Sequence, residues 1–187
     1  MKEGHGAMES CWIDKTEVAR REIAEAVRLF FAERDPVAIH ALIGAAHDVL
    51  FDLGKASGSL SALKPRGTAP STRASVNGPY NFLKHADRDP EGKLNIAPLG
   101  RLVQDFLMDA IQMLQQVSGD IPVEAMAYWA WYVGTYPEEF NAGKGSALRE
   151  LQELGLSEMS FAEIYQFLDL ADILDSQVPQ GDEADRP

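Results

Sequence analysis

The sequence predicts an all-α fold, arranged as a single-domain bundle of six or seven helices. Apolar residues recur every three or four positions in most segments, and several segments begin near a proline and end at a glycine. No segment alternates polar and apolar residues as a half-buried strand does. The chain has 187 residues, 45% of them hydrophobic, which suits one buried core and excludes a large multidomain protein.

The first helix is predicted from about Asp14 to Glu33. Asp14 or Thr16 supplies a short side-chain oxygen that can bond the unpaired N–H groups of the first turn. The apolar positions follow helical spacing and comprise Val18, Ile23, Ala26, Val27, Phe30 and Phe31. This pattern predicts an amphipathic helix with one face on the core.

The second helix is predicted to begin at Asp35 and Pro36, because an aspartate cap is often followed by proline at the first helical position. It is predicted to end at Gly54, since glycine readily takes the left-handed conformation that closes a helix. Few residues in between are polar, so this helix is expected to be central and largely surrounded by protein.

A long basic loop is predicted at 55–78, between helices two and three, where Gly, Ser, Pro and Thr are frequent. A short helix around 60–63 is compatible with it. Pro79 then opens a helix of one or two turns that stops at the charged corner Asp87–Pro90.

Two further helices have clear boundaries. One begins at Pro98 and ends at Gly119, and the next is capped by Asp120 and runs to Gly134. The second of them carries an aromatic group: Tyr128, Trp129, Trp131 and Tyr132. Aromatic residues at helical spacing line either a core or a ligand pocket, and the core is the commoner place.

The last helices are predicted at 146–154 and 160–174. The helical domain therefore spans 14–175, after a flexible N-terminus at 1–13. The acidic tail at 176–187 contains almost nothing apolar to bury, so it is predicted to be disordered.

Charge is distributed unevenly along the chain. The net charge of −12 opposes binding to nucleic acid or to an anionic membrane. The stretch 54–86, here called the basic insert, has no acidic residue and contains five basic ones: Lys55, Lys64, Arg66, Arg73 and Lys84. The insert either forms an anion site or is a solvated segment whose charges pair loosely with the acidic surface.

Cellular location is inferred from the cysteine and from the N-terminal residues. Cys11 has no second cysteine with which to pair, which fits a reducing compartment. The N-terminus is acidic where a signal peptide would be apolar, and no apolar run reaches the length of a membrane span. These features predict a cytoplasmic protein without a membrane segment.

The segment 81–90, here called the polar segment, combines several chemical groups near a helix end. Its candidate ligand-binding residues are Asn81, Lys84, His85 and Asp87. Histidine can transfer protons near neutral pH, lysine can stabilise negative charge, and aspartate can orient an imidazole. The alternative is structural, with Lys84 and His85 offsetting the negative end of a helix dipole.

His40 and His47 lie seven residues apart on one face of the second helix, with Gly44 between them. The missing side chain at Gly44 permits another helix to approach closely. A buried imidazole needs a hydrogen-bond partner, so His40 is expected within hydrogen-bond or one-water reach of the polar segment, with Lys84 at the edge. A metal site with Asp48 is imaginable, but this spacing is not that of a ligand pair, and no metal or cofactor is predicted.

Several segments resemble a family of small bacterial helical proteins that has no assigned activity. They are RREIAEAVRLFFAERDPVAIHALIGAAHDVLFDL, NFLKHADRDP and the later helix with YPEEF, together covering roughly 18–140. The resemblance implies a single helical domain. It also implies that the family's characteristic polar positions correspond to His40, Asn81, Lys84, His85 and Asp87.

Arg34 precedes His40 by six positions, a spacing that is similar to that of the helical ribonucleases of the HEPN class. Asp35 and Pro36 place a helix boundary between the two residues. The similarity to HEPN domains is therefore one of pattern, and fold analogy alone does not fix a function.

Two functions follow from these observations. The first is a binding module, with a site for a small anionic ligand or a protein partner around His40, Lys84 and His85. The alternative is a metal-independent endoribonuclease that cuts RNA, in which those residues meet Arg34, across a homodimer interface. A ribonuclease requires His40 or His85 in an open groove beside Arg34, whereas a binding module can bury both histidines.

Overall fold

Five α-helices and one short 3-10 helix form the part of the chain that the structure describes. The structure is a computed structural model, and it describes residues 11–58, 61–64, 70–85 and 87–140, with isolated positions between 149 and 166. The helices are α1 (Lys15–Phe31), α2 (Pro36–Ser57), α3 (Pro70–Lys84), α4 (Leu99–Ser118), α5 (Val123–Thr135) and the 3-10 turn Pro137–Glu139. These residues contain no strand, so the all-α prediction is confirmed.

The predicted count of six or seven helices depends on segments that the structure does not describe. Apart from isolated positions, the helices predicted at 146–154 and 160–174 lie outside the described residues, as do the tail at 176–187 and most of the N-terminus. Both helices therefore stay predictions, and so do the boundaries of the domain.

Side-chain caps begin the first two helices where the sequence predicts. The Asp14 carboxylate accepts the N–H of Glu17 at 2.8 Å, and the Asp35 carboxylate accepts the N–H of Val37 at 2.8 Å. Each carboxylate satisfies a donor that has no partner within the helix.

The end of α2 differs from the prediction. The helix passes through Gly54, which is buried, and continues to Ser57. Gly58 ends it instead, in the left-handed conformation with φ of 80°. A glycine inside a helix costs only about 1 kcal/mol, so the packing of a central helix overrides the stop signal at Gly54.

The prediction of a long loop at 55–78 is also wrong. Because α3 begins at Pro70, the connection covers only 58–69, and Pro79 lies inside the helix rather than at its start. Proline removes one helical hydrogen bond, which made an interior position improbable from sequence. The next residue, Tyr80, packs against α2. This tertiary contact stabilises the helix around Pro79, and local helix propensity does not account for it.

The next two helices follow the sequence more closely. Gly119 ends α4 with φ of 83°, as predicted. Asp120 does not cap α5, which follows Pro122 and has no side-chain cap. Asp120 instead binds Arg20 of α1 at 2.6 Å, a contact between residues a hundred positions apart.

The core forms where α2 packs against α1 and α4, while α5 packs on α1 and α4 from another side. Its largest fully buried side chains include Tyr128, Phe106, Ile23, Ile43, Leu50 and Leu107. Tyr128 also contacts the rings of Phe30, Phe31 and Trp131 at 5.2–6.1 Å between centroids. The core position predicted for the aromatic group is therefore confirmed for Tyr128.

One stretch of α2, Pro36–Lys55, is long and apolar enough to cross a membrane by length and composition alone, with a mean hydropathy of 1.4. In the fold it packs between α1 and α4, and its buried face carries His40 and His47. One such helix is weak evidence for a membrane span, because the core helix of a globular fold passes the same test. The cytoplasmic location stays a prediction.

Gly44 is the point where α3 docks on α2. The ring of Tyr80 occupies the space that a side chain at residue 44 would take, and a Cβ there would overlap the ring. The close approach predicted at Gly44 is thus confirmed. The Nζ atom of Lys84, one turn further along α3, lies 4.4 Å from the centre of the same ring.

A double substitution tests this docking. Gly44→Ala should lower the free energy of unfolding by about 1–3 kcal/mol, because the new methyl group displaces Tyr80. In a Tyr80→Ala background the same change should raise it by about 0.5–1 kcal/mol, because alanine is the better helix former once the space is free. Urea unfolding of the four proteins measures the reversal of sign, and an equal loss in both backgrounds would contradict the contact.

Candidate functional site

His40 is fully buried on α2, and its ring lies 5.1 Å from that of Phe106. Neither ring nitrogen has a hydrogen-bond partner among the described residues. Burial, followed by the positive charge of Lys64 and by His47, lowers the pKa of His40 to about 4. The imidazole is therefore neutral near pH 7.

The expected direct hydrogen bond from His40 to the polar segment is wrong, because neither ring nitrogen makes one. Contact through one water stays a prediction. Among the residues of that segment, Asn81 and His85 are half-buried near the end of α3, and Asp87 is exposed in the turn that follows. Ligand binding at these positions also stays a prediction.

Lys84 is engaged with α2 rather than with His40. Its Nζ atom lies 2.8 Å from one oxygen of Asp48, and the Nζ atom of Lys64 lies 3.4 Å from the other. Burial opposes ionisation of Asp48, but the hydrogen bond from Lys84 and the two lysine charges outweigh it and lower its pKa. Lys55 pairs with Asp52, so each described lysine of the basic insert contacts a carboxylate of α2.

A buried polar cluster that sequence reasoning missed lies beneath the connection between α2 and α3. Asp109 of α4 accepts three hydrogen bonds: from His47 Nε2 at 2.7 Å, from Ser61 Oγ at 2.6 Å and from the N–H of Ala62 at 2.6 Å. Burial alone would raise the pKa of Asp109, but these bonds outweigh it and lower the pKa. The signal was an aspartate on the apolar face of α4, three residues after Phe106.

This cluster contains the residue types of a nucleophilic triad but not its arrangement. Ser61 donates to Asp109 at 2.6 Å, and its Oγ accepts the N–H of Lys64 at 2.8 Å. The Oγ lies 3.4 Å from His47 Nε2, which is the same nitrogen that contacts Asp109 at 2.7 Å. In a triad the histidine lies between serine and aspartate. All three side chains are buried, so the arrangement anchors the connection 61–64 to the core.

The corner between α1 and α2 is built by a helix-ending turn of unusual composition. The N–H of Glu33 bonds the carbonyl of Phe30, and the N–H of Arg34 bonds that of Leu29, both at 3.0 Å. This is the hydrogen-bond pattern of a Schellman motif, whose left-handed position is usually glycine. Here it is Glu33, with φ of 51°. The two bonds fix the backbone from which Glu33 and Arg34 project.

A cavity of about 440 Å³ opens at this corner and is called the Arg34 cavity below. It is lined by Phe30, Phe31, Glu33, Arg34, Pro36, Ile39, Gly100, Val103, Gln104 and Trp131. Apolar and aromatic side chains form most of the wall, and charged groups come only from the α1–α2 turn. Such a cavity has the size and composition of a small-molecule site.

Arg34 is exposed and forms no ion pair with any described residue, and the same holds for Glu33. The side-chain oxygen of Gln104 already has a partner in the fold, because it accepts a hydrogen bond from the hydroxyl of Tyr136. Gly100 leaves part of the wall without a side chain, and a Cβ there would meet nothing within 4 Å. The Arg34 cavity thus offers free space, a cation and an anion, neither of which pairs with a described residue.

The structure separates the candidates that the sequence grouped. The lining of the Arg34 cavity includes neither His40 nor Lys84 nor His85. His40 lies instead in the core with Phe106, and Lys84 lies on Asp48. Within the described ranges, no three His, Cys, Asp or Glu side chains converge in a way that would hold a metal ion.

No protein-family model matches the chain, and no curated protein and no solved structure shows significant similarity to it. The resemblances drawn from the sequence therefore stay predictions. The function has to be inferred from the geometry of the site.

The protonation of His40 should make stability depend on pH. The unfolded chain takes up a proton below about pH 6.5, whereas the folded protein resists protonation until about pH 4, so stability falls as the pH drops through this window. We expect His40 to lower the free energy of unfolding by about 2 kcal/mol as the pH falls from 7 to 5. Urea unfolding of the wild type and of His40→Leu measures this difference.

The same variant tests whether His40 is without a partner. At pH 7, His40→Leu should be at least as stable as the wild type, because it removes an unbonded buried polar group. A loss of about 1–3 kcal/mol would contradict this and indicate a bonded partner, such as a water-mediated contact to the polar segment.

Removal of the Asp109 carboxylate should strongly destabilise the folded protein. Asp109→Ala leaves two buried donors, on His47 and Ser61, and the partly buried N–H of Ala62 without their acceptor, so the free energy of unfolding should fall by about 3 kcal/mol or more. Asp52→Ala, an exposed aspartate of α2, is the matched control and should change it by less than about 0.5 kcal/mol. Similar losses in the two variants would show that the cluster contributes little.

Proposed function

We propose that this protein is a non-catalytic helical binding module that holds a small organic anion in the Arg34 cavity. The observation that carries the proposal is a guanidinium in the wall of an aromatic cavity that forms no ion pair with any described residue. A guanidinium presents several N–H donors in one plane and matches the two oxygens of a carboxylate or phosphate. This retains the small-anion hypothesis of the sequence and assigns the anion to Arg34.

The state of Arg101 supports this assignment by contrast. Arg101, at the first turn of α4, bonds Glu139 at 2.5 Å and Asp105 at 2.9 Å and lies 3.9 Å from the centre of the Tyr136 ring. Its donors are used within the fold. Arg34 has no such partner in the described part of the chain, so its donors are available to a ligand.

Backbone strain at the same place is a second support. A left-handed conformation costs a residue other than glycine roughly 1–2 kcal/mol. Strained residues of this kind concentrate at binding and catalytic sites, where the surrounding structure holds them. Glu33 is the one residue other than glycine with positive φ in the described part of the chain, and it lines the Arg34 cavity.

The endoribonuclease alternative receives less support. It requires a histidine beside Arg34 in an open groove, but His40 is fully buried and neutral near pH 7. Proton transfer to or from an RNA hydroxyl needs a group within hydrogen-bond reach of the substrate. His85, at the end of α3, does not line the Arg34 cavity.

Titration calorimetry with 3-phenylpropionate tests the proposal. Arg34→Ala should weaken binding of this aromatic carboxylate by about tenfold or more, because a charge-assisted pair is lost. Arg88→Ala is the matched control: Arg88 is also exposed, its loss changes the net charge equally, and binding should not change. Binding that is absent, or equal in the wild type and Arg34→Ala, would overturn the proposal.

A parallel titration of Lys84→Gln separates the two candidate sites. Lys84 pairs with Asp48, away from the Arg34 cavity, so this variant should bind 3-phenylpropionate as the wild type does. A selective loss in Lys84→Gln would move the site to the polar segment.

A further inference from the structure

We infer that the ligand of the Arg34 cavity is an aromatic amino acid, or a compound with the same three groups: a flat ring, a carboxylate and a protonated amine. The inference rests on the proposed function and deepens it by naming the ligand class. It follows from three features of the cavity wall. The wall carries two opposite charges that form no ion pair with any described residue, it has an aromatic surface, and it leaves open space.

The charges come from two consecutive residues. Glu33 and Arg34 both line the cavity, yet they form no ion pair with each other or with any described residue. A ligand that carries only a carboxylate pairs with Arg34 but leaves Glu33 without a partner, so it should bind less tightly than a ligand that pairs with both. A zwitterion satisfies both, with its carboxylate on Arg34 and its ammonium on Glu33.

The apolar wall accepts a ring. Trp131 packs edge-to-face on Phe30 and Phe31, with centroids 5.1 and 5.7 Å apart, and all three side chains line the cavity. Ile39 and Val103 are buried and add aliphatic surface to the wall. An aromatic ring gains both burial and edge-to-face contacts on such a surface.

The backbone that carries the two charged residues is held in place before a ligand arrives. The backbone bonds from Glu33 to Phe30 and from Arg34 to Leu29 fix the turn that carries both charges. A fixed backbone lowers the conformational entropy that binding costs, and only the two exposed side chains remain to be ordered. This accounts for a left-handed Glu33 where glycine would relieve the strain: glycine would remove the carboxylate.

Four probes separate the three groups, each titrated by calorimetry into the full chain. Phenylalanine has all three, 3-phenylpropionate lacks the amine, phenethylamine lacks the carboxylate and alanine lacks the ring. Phenylalanine should bind at least about tenfold more tightly than each of the others, since each missing group removes a charge-assisted pair or the ring contacts. Glu33→Gln should bring phenylalanine down to the affinity of 3-phenylpropionate without weakening the latter.

Gly100→Leu checks the location. Because a Cβ at this position meets no atom within 4 Å, leucine should fit on α4 and fill the cavity, which should abolish binding while the unfolding midpoint is kept. Gly100→Ala is the control, since its single methyl group meets no atom within 4 Å and leaves most of the cavity open, so binding should be largely kept. Unchanged affinity in Gly100→Leu would place the ligand elsewhere and overturn the inference.

The remaining outcomes distinguish the two proposals. If 3-phenylpropionate binds as tightly as phenylalanine and Glu33→Gln changes neither affinity, the amino-acid inference is overturned while the anion-binding function stands. If Arg34→Ala weakens neither carboxylate, the proposed function itself fails, and the inference fails with it.

Discussion

The buried carboxylate of Asp109 is the interaction on which the arrangement of α2, α4 and the connection between α2 and α3 depends. An ionised carboxylate in a protein interior is stable only when donors replace its hydration. Asp109 obtains them from His47, from Ser61 and from a backbone N–H. Because these donors come from two separate parts of the chain, ionisation of one side chain fixes a helix and a connection at once.

The same end of the molecule uses most of its other polar groups for folding. Lys64 and Lys84 both contact Asp48, and Tyr80 fills the space above Gly44, so one ring and one carboxylate help to attach α3 to α2. Chemically versatile residue types are concentrated here, yet their donors and acceptors are largely paired with one another. A group that is already paired with the fold has little interaction left for a ligand.

The opposite situation holds at the α1–α2 corner. Glu33 and Arg34 project from a hydrogen-bonded turn into an aromatic cavity without pairing with described residues, and Gly100 keeps part of the wall open. The left-handed Glu33 makes this turn less stable than a glycine would. Local stability and an available charge thus conflict at this residue, which is typical of a site that serves binding.

The sequence by itself determined the helical class, the caps at Asp14 and Asp35 and the end of α4 at Gly119, because these features depend on neighbouring residues within one turn. Tertiary structure decided what depends on distant residues: the extension of α2 past Gly54, Pro79 within α3, and the bonding of Asp109.

The same distinction between local sequence and tertiary structure applies to the candidate site. Arg34 was a candidate from its spacing to His40, but only the packing of α1, α2, α4 and α5 shows it in a cavity, with His40 left in the core. Helical periodicity specifies which face of a helix is apolar, whereas it does not specify which helix covers that face. Which helices pack together determines which polar side chains are left without a partner in the fold. Only the tertiary structure therefore identifies those side chains.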